Sequence, residues 1–355
     1  MKSLYNIVAT IAAIITLMTP LACKEESNDT FRNPIIKDSQ STAFYYHKGL
    51  YYYLRNANGH IMISSMKDPS DFIKKNEKSA INMLEAHSLQ HLWCPQLINI
   101  DGIWYIYVTA DNGDTDNHRM YVLENRNEDP MKGTFTMLGK IRTDMNDNFA
   151  MHGHVFEHND ELYMIWSGWK DTRLYAENQC LFIAKMDSPS SLSCERILIS
   201  EPEYEWELQW INTDGSSATR YPVYVNECPV YFNNDQTQKI HIFYSASANW
   251  TTYHCIGELT AEKDADILNP ASWQKSKLPI FKGSKEKEIY GPDNPQLIPA
   301  PNGKDYYLVY AALRNETGLY LTDIHCQPIS ITDGKPIFGE PVDKSDAIKK
   351  ISTLR

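Results

Sequence analysis

The sequence predicts an all-β chain folded as a five-bladed β-propeller, and three observations carry that expectation. Five segments repeat one order: a short strand, a turn, an aromatic-rich strand, a small-residue stretch and a further strand. They recur roughly every 50 to 70 residues with about four strands each, which is a blade-like period. Aromatics make up 12% of the 355 residues, with 22 Tyr and 8 Trp, and such side chains suit pleated strands packed face to face. An irregular β-sandwich would need no such repeat.

Taken in chain order, the first element is an export signal over residues 1–22. Lys2 supplies the positive start, Ile7 to Met18 the apolar core, and Leu21-Ala22-Cys23 the small-residue cleavage site. The apolar stretch is short for a membrane span. Cys23 just after the cut is the expected lipidation site, and Lys24-Glu25-Glu26 follows it. Residues 23–30 then read as a lipidated Cys and polar tether. Cys23 resembles the lipidated Cys of bacterial lipoproteins and Lys24-Glu25-Glu26 the Lys-acidic export tag of surface lipoproteins in Gram-negative bacteria, and that resemblance implies the outer membrane, at the cell surface.

The propeller itself is expected over 31–345, with a tail over 346–355. Turns are signalled by His47-Lys48-Gly49, Asp101-Gly102, Asn159-Asp160, Asn233-Asn234-Asp235 and Asn302-Gly303. Alternating runs follow them, such as Trp104-Tyr105-Ile106-Tyr107 and Tyr306-Tyr307-Leu308-Val309-Tyr310. Only Lys67 to Leu84 offers a helical period. A propeller gathers the first strand of every blade around its axis, so functional groups belong near those strand starts.

Charge and cysteines narrow the function. The net charge is −11 with no basic block, which excludes a nucleic-acid partner. Six cysteines follow the signal: Cys94, Cys180, Cys194, Cys228, Cys255 and Cys326. An even count in an exported chain permits disulfides, with Cys180 and Cys194 closing the shortest loop, or the thiols stay free and buried. There is no Cys-x-x-Cys pair, so a zinc site is not expected; no other metal or cofactor is assigned.

Several motifs resemble glycoside hydrolase family 43. Trp93-Cys94-Pro95-Gln96-Leu97, followed by Ile100-Asp101-Gly102-Ile103-Trp104-Tyr105-Ile106-Tyr107, is similar to its WAPE-x-IDGKWYIY stretch. Asn117-His118-Arg119-Met120-Tyr121-Val122-Leu123-Glu124, Val155-Phe156-Glu157-His158 and Trp166-Ser167-Gly168-Trp169 match further motifs in order. So do Pro202 to Glu207, Val225-Asn226-Glu227, Tyr244-Ser245-Ala246-Ser247 and Tyr290-Gly291-Pro292. The likeness spans residues 31 to about 342 and is strongest to the arabinofuranosidase-like branch. It implies an inverting glycosidase in which one carboxylate activates water and a protonated one serves the leaving oxygen, roughly 6.5–9.5 Å apart.

The resemblance assigns Glu227 as the general acid. Ser41 stands at the base position, leaving Asp38 as the nearest carboxylate. His152 replaces the Asp that orients the acid, and Asn294 replaces the family's ion-associated His. His152 and His154, two apart on a strand, share a face, and one of them is a candidate base or partner of Glu227. Trp93 is either a sugar platform or core packing. Trp166 and Trp169 lie in a loop-like stretch, with one expected at the cleft rim. His118, Asn226 and Tyr290, inside matched motifs, complete the substrate-binding set. The acidic run Glu201 to Glu207 reads as a solvated loop.

These readings predict a monomeric, arabinofuranosidase-like hydrolase of plant-type polysaccharide or oligosaccharide, with a carbohydrate as its partner and the membrane touched only through the lipid anchor. The alternative is a non-catalytic glycan-binding pseudoenzyme on the same propeller, because the base and orienting Asp are replaced.

Overall fold

The computed structural model describes residues 29–39, 43–71, 76–316 and 321–351. The signal segment, Cys23 and Ser41 lie outside the described residues.

Five antiparallel blades follow one another along the chain. Blade 1 runs through Ala43–His47, Leu50–Ala57, His60–Met66 and Lys78–Asn82. Blade 2 comprises Gln90–Ile100, Ile103–Asp111, Arg119–Asn125 and Thr136–Ile141. Blade 3 comprises Ala150–His158, Glu161–Gly168 and Glu177–Ser188, with Ile197–Ser200 outermost. Blade 4 has Val223–Phe232, Lys239–Ala246 and Cys255–Glu262, edged by Gln274–Lys275 and Phe281–Lys282. Blade 5 has Tyr290–Pro299, Tyr306–Leu313, Thr322–Thr332 and Lys335–Ile337. The helical period over Lys67 to Leu84 is not borne out. Lys78–Asn82 is the outer strand of blade 1, and the only α-helix among the described residues is the five-residue Met83–His87, capped by the Asn82 side chain.

Alternation within the second strands explains the aromatic load. In Ile103–Asp111, Trp104, Ile106 and Val108 pack toward blade 1, while Tyr105 and Tyr107 pack toward blade 3. Each neighbouring pair of blades encloses such an apolar cluster, the last between blades 5 and 1. Both faces of these strands are therefore buried. Removing a side chain as large as the fully buried Trp104 would cost about 3–5 kcal/mol.

Closure of the ring falls to the chain ends. Thr30–Phe31 pairs with Ile348–Lys349, and the following segment runs along the third strand of blade 5. Asn33 exchanges two hydrogen bonds with the backbone of Cys326. Ile348 and Lys349, expected in a tail, thus belong to the closure.

One backbone device recurs at the axis. In blades 2 to 5 the innermost strand breaks register so that two residues oppose one: after Trp93, Met151, Glu227 and Asp293. The next residue has left-handed φ in every case: Cys94 (40°), His152 (55°), Cys228 (50°) and Asn294 (49°). Such φ in a residue with a side chain costs roughly 1–2 kcal/mol. Proline follows three of the four, placing a residue without an N–H where the ladder has no partner to offer. Gly153 follows the other, and a Cβ there would stand 2.5 Å from Met120 Cε.

Candidate active site

The bulges divide the axis into two compartments. A cleft of about 240 Å³ at the strand-start end is lined by Trp93, Met151 and Glu227, with His118, Phe149 and Trp250 among its walls. A cavity of about 400 Å³ on the other side is lined by Cys94, His152, Cys228 and Asn294. Reversal of side-chain direction across each bulge is what separates the two sets.

Glu227 is 5% exposed, and its carboxyl faces two imidazoles. His152 Nδ1 lies 3.5 Å from Oε2, and His254 Nε2 lies 4.0 Å from Oε1. His254 is fully buried, donates from Nδ1 to the Ser247 carbonyl (2.8 Å), and presents Nε2 to Asp293 Oδ1 at 3.1 Å. Burial raises the Glu227 carboxyl above the ordinary carboxylate range, and Asp293 adds to that, while His152 and His254 oppose it. Burial pushes Asp293 the same way, but His254 and the Ser245 hydroxyl hold it below that range. Two buried carboxyls on adjacent blades are thus driven apart by their neighbours, one toward the protonated and one toward the ionised form.

Trp93 is half-buried on the cleft wall, its ring 6.2 Å from His152 and nearly parallel (17°), and 5.4 Å from His118. His118 lines the cleft and donates from Nδ1 to the Thr115 carbonyl (2.7 Å). Its Nε2 is 3.2 Å from Asp111.

Other sequence-predicted residues sit elsewhere. Asn226 precedes Glu227, so strand alternation turns it to the opposite face, where it is fully buried and donates to Glu207 (2.9 Å). Tyr290 lines a separate cavity with Trp206 and Tyr253. Trp166 is no loop residue: it is fully buried within Glu161–Gly168. Trp169 is also buried, stacked on Phe149 at 4.5 Å, with its Nε1 donating to Glu177 (2.5 Å). His154 lines the axial cavity with its ring 3.3 Å from the Gln96 amide, and burial lowers its pKa. Asp38 is an exposed side chain held by Arg314 (2.6 Å), and it lines neither the cleft nor the axial cavity.

The acidic run is not a solvated loop at its end. Glu207 is fully buried and accepts from Lys275 (3.0 Å), the Tyr244 hydroxyl (3.0 Å) and the Glu203 and Tyr204 amides. All six described cysteines are free thiols, so Cys180 and Cys194 form no bridge. Sequence reasoning missed His254 and Asp293. The carboxylate stands directly after the matched Tyr290-Gly291-Pro292 motif and could have been noticed there, whereas His254 sits in an irregular connection without a pattern.

Comparison with known proteins agrees with this architecture. Residues 31–336 match the model of Glycosyl hydrolases family 43. The chain is 34% identical over 224 residues to an extracellular exo-α-(1→5)-L-arabinofuranosidase of Streptomyces chartreusis, covering 62% of each chain. A protein of the same name from Streptomyces avermitilis is 31% identical over 363 residues, covering 96% of this chain and 70% of the relative. The chain thus spans between three fifths and seven tenths of these relatives' lengths. The crystal structure of an α-L-arabinofuranosidase from Lactobacillus brevis superposes with a TM-score of 0.79 at 29% identity, covering 89% of this chain and 98% of that one. A five-bladed propeller with a buried Glu at the cleft floor, matched over nearly its whole described length, makes this chain an arabinofuranosidase-like member of glycoside hydrolase family 43.

Proposed function

We propose that the protein hydrolyses α-L-arabinofuranosidic bonds in plant-type polysaccharide or oligosaccharide, with Glu227 protonating the leaving oxygen. The observation that carries this reading is the placement of Glu227: a buried carboxyl at the floor of an aromatic-walled cleft, facing imidazoles rather than a fixed cation. His254, tied to Ser247 and Asp293, is the positioning residue for that carboxyl. Trp93 offers the sugar a flat apolar face. Export is part of the same reading: the signal over 1–22 and a lipidated Cys23 hold the propeller at the outer membrane. Cys23→Ala accordingly moves the protein from the membrane fraction to the soluble one, and unchanged anchoring refutes that part.

A second reading, sugar binding without turnover, draws on Asp38. The nearest carboxylate to the base position is engaged by Arg314 instead of facing the cleft. The two readings part on one experiment with an α-(1→5)-arabino-oligosaccharide and an activated aryl arabinofuranoside. Wild-type protein is expected to release arabinose from both. Glu227→Gln loses about 10²–10⁴-fold on the oligosaccharide, less on the aryl substrate, and keeps its sugar affinity in calorimetry. Sugar affinity with no turnover in either form supports the binder, and full activity in Glu227→Gln removes Glu227 from the mechanism.

A further inference from the structure

On the cavity side of the bulges, three soft or borderline donors meet. Cys94 Sγ is 3.7 Å from Cys228 Sγ, and Cys228 Sγ is 3.3 Å from His152 Nδ1. All three donor atoms lie within 4.8 Å of one another. We propose that Cys94, His152 and Cys228 form a zinc site that ties blades 2, 3 and 4 together at the propeller axis.

The distances suit the ion. Tetrahedral zinc, with Zn–S of about 2.3 Å and Zn–N of about 2.0–2.1 Å, sets its sulfurs about 3.8 Å apart and a sulfur and nitrogen about 3.5 Å apart. A disulfide needs sulfurs about 2.05 Å apart, far closer than these thiols stand. Thiol donors select a soft or borderline ion over calcium or magnesium. Each ligand occupies the same left-handed bulge position of its own blade, so the backbone presents the three side chains without help from a flexible loop. All three line the 400 Å³ cavity, which gives the ion a way in and leaves its fourth position to water. Glu227 lines the cleft and has a carboxyl oxygen 3.5 Å from His152 Nδ1, but it does not come within 4.8 Å of all three donors, so it stays outside the ligand set.

The test uses the full chain, purified under reducing conditions and then freed of chelator. Elemental analysis after addition of zinc chloride and desalting is expected to give one zinc per chain. Cobalt in its place should give a thiolate charge-transfer band in the near ultraviolet. Cys94→Ser and Cys228→Ser should each lower the bound zinc at least tenfold, while Cys180→Ser, on the third strand of blade 3 and outside the donor group, keeps it. Should the bulge variants fail to fold, thiol labelling of the wild type decides: zinc must protect Cys94 and Cys228, and a chelator must expose them. A reduced wild type that retains no zinc overturns the site, as does labelling of those two thiols that zinc leaves unchanged.

Discussion

Two buried glutamates stand on opposite faces of the inner strand of blade 4, and their surroundings could hardly differ more. Glu207 reaches the strand from its own 3₁₀ turn and is saturated: an ammonium, a phenol, two amides and the Asn226 side chain all point at it. Glu227, one residue from that same Asn226, faces only imidazoles at 3.5 and 4.0 Å and opens onto the cleft. A carboxylate whose every lone pair is occupied holds a fold together. One left short of partners beside a cleft has capacity for a substrate.

The sharpest way to break this contrast is to remove each acid in turn. Glu227→Gln should cost about 10²–10⁴-fold in oligosaccharide turnover with its urea midpoint unchanged. Glu207→Ala should do the reverse, because it strands the nearly buried Lys275 ammonium. A loss of about 3–5 kcal/mol in urea unfolding is expected, with the remaining folded protein keeping its kcat. An equal effect of both substitutions on stability and turnover would erase the distinction.

A third buried titratable group sharpens it from outside both regions. His325, on the third strand of blade 5, stacks on Tyr310 and is lowered by burial, with help from Lys344, to about 3. Its folded value lies below the ordinary 6.5, so the neutral ring stabilises the fold above that pH. That contribution is lost as pH falls from 6.5 toward 3, because the unfolded chain takes up the proton first. Stability should drop on the order of 3 kcal/mol between pH 7 and pH 4, and His325→Phe should flatten the dependence. An unchanged slope in that variant would point to the carboxylates instead. The smallest effect belongs to Trp93→Ala: a roughly 2- to 13-fold rise in KM, from about 0.5–1.5 kcal/mol of ring contact, with little change in kcat.

Much of the fold was legible because strand and turn signals are local. The five turn motifs each fall between the first and second strands of a blade, and the alternating runs after them are the second strands. The site was legible only in part. Glu227, His152 and Trp93 lie at the inner strands where their motifs implied, but Asn226 was placed in the substrate set although a one-residue step turns it to the other face. Trp166 looked like a loop residue because Ser167 and Gly168 follow it, yet pairing across the blade keeps it in a strand. Cys94 and Cys228 are 134 residues apart, so no short spacing motif could announce them. What did stand in the sequence was a Cys-Pro, Cys-Pro, Asn-Pro recurrence in the inner strands of blades 2, 4 and 5, which the register breaks explain.

Thr30 pairs with Lys349, and the Lys350 amide donates to the Asp29 carbonyl at 2.7 Å. Both described ends therefore leave the ring at one spot on its rim. A peptide of a few residues could splice them, and new ends cut into a surface turn between blades would yield a circularly permuted propeller with the same cleft. A reporter fused after residue 350 would likewise leave the ring beside the strand entered from residue 29.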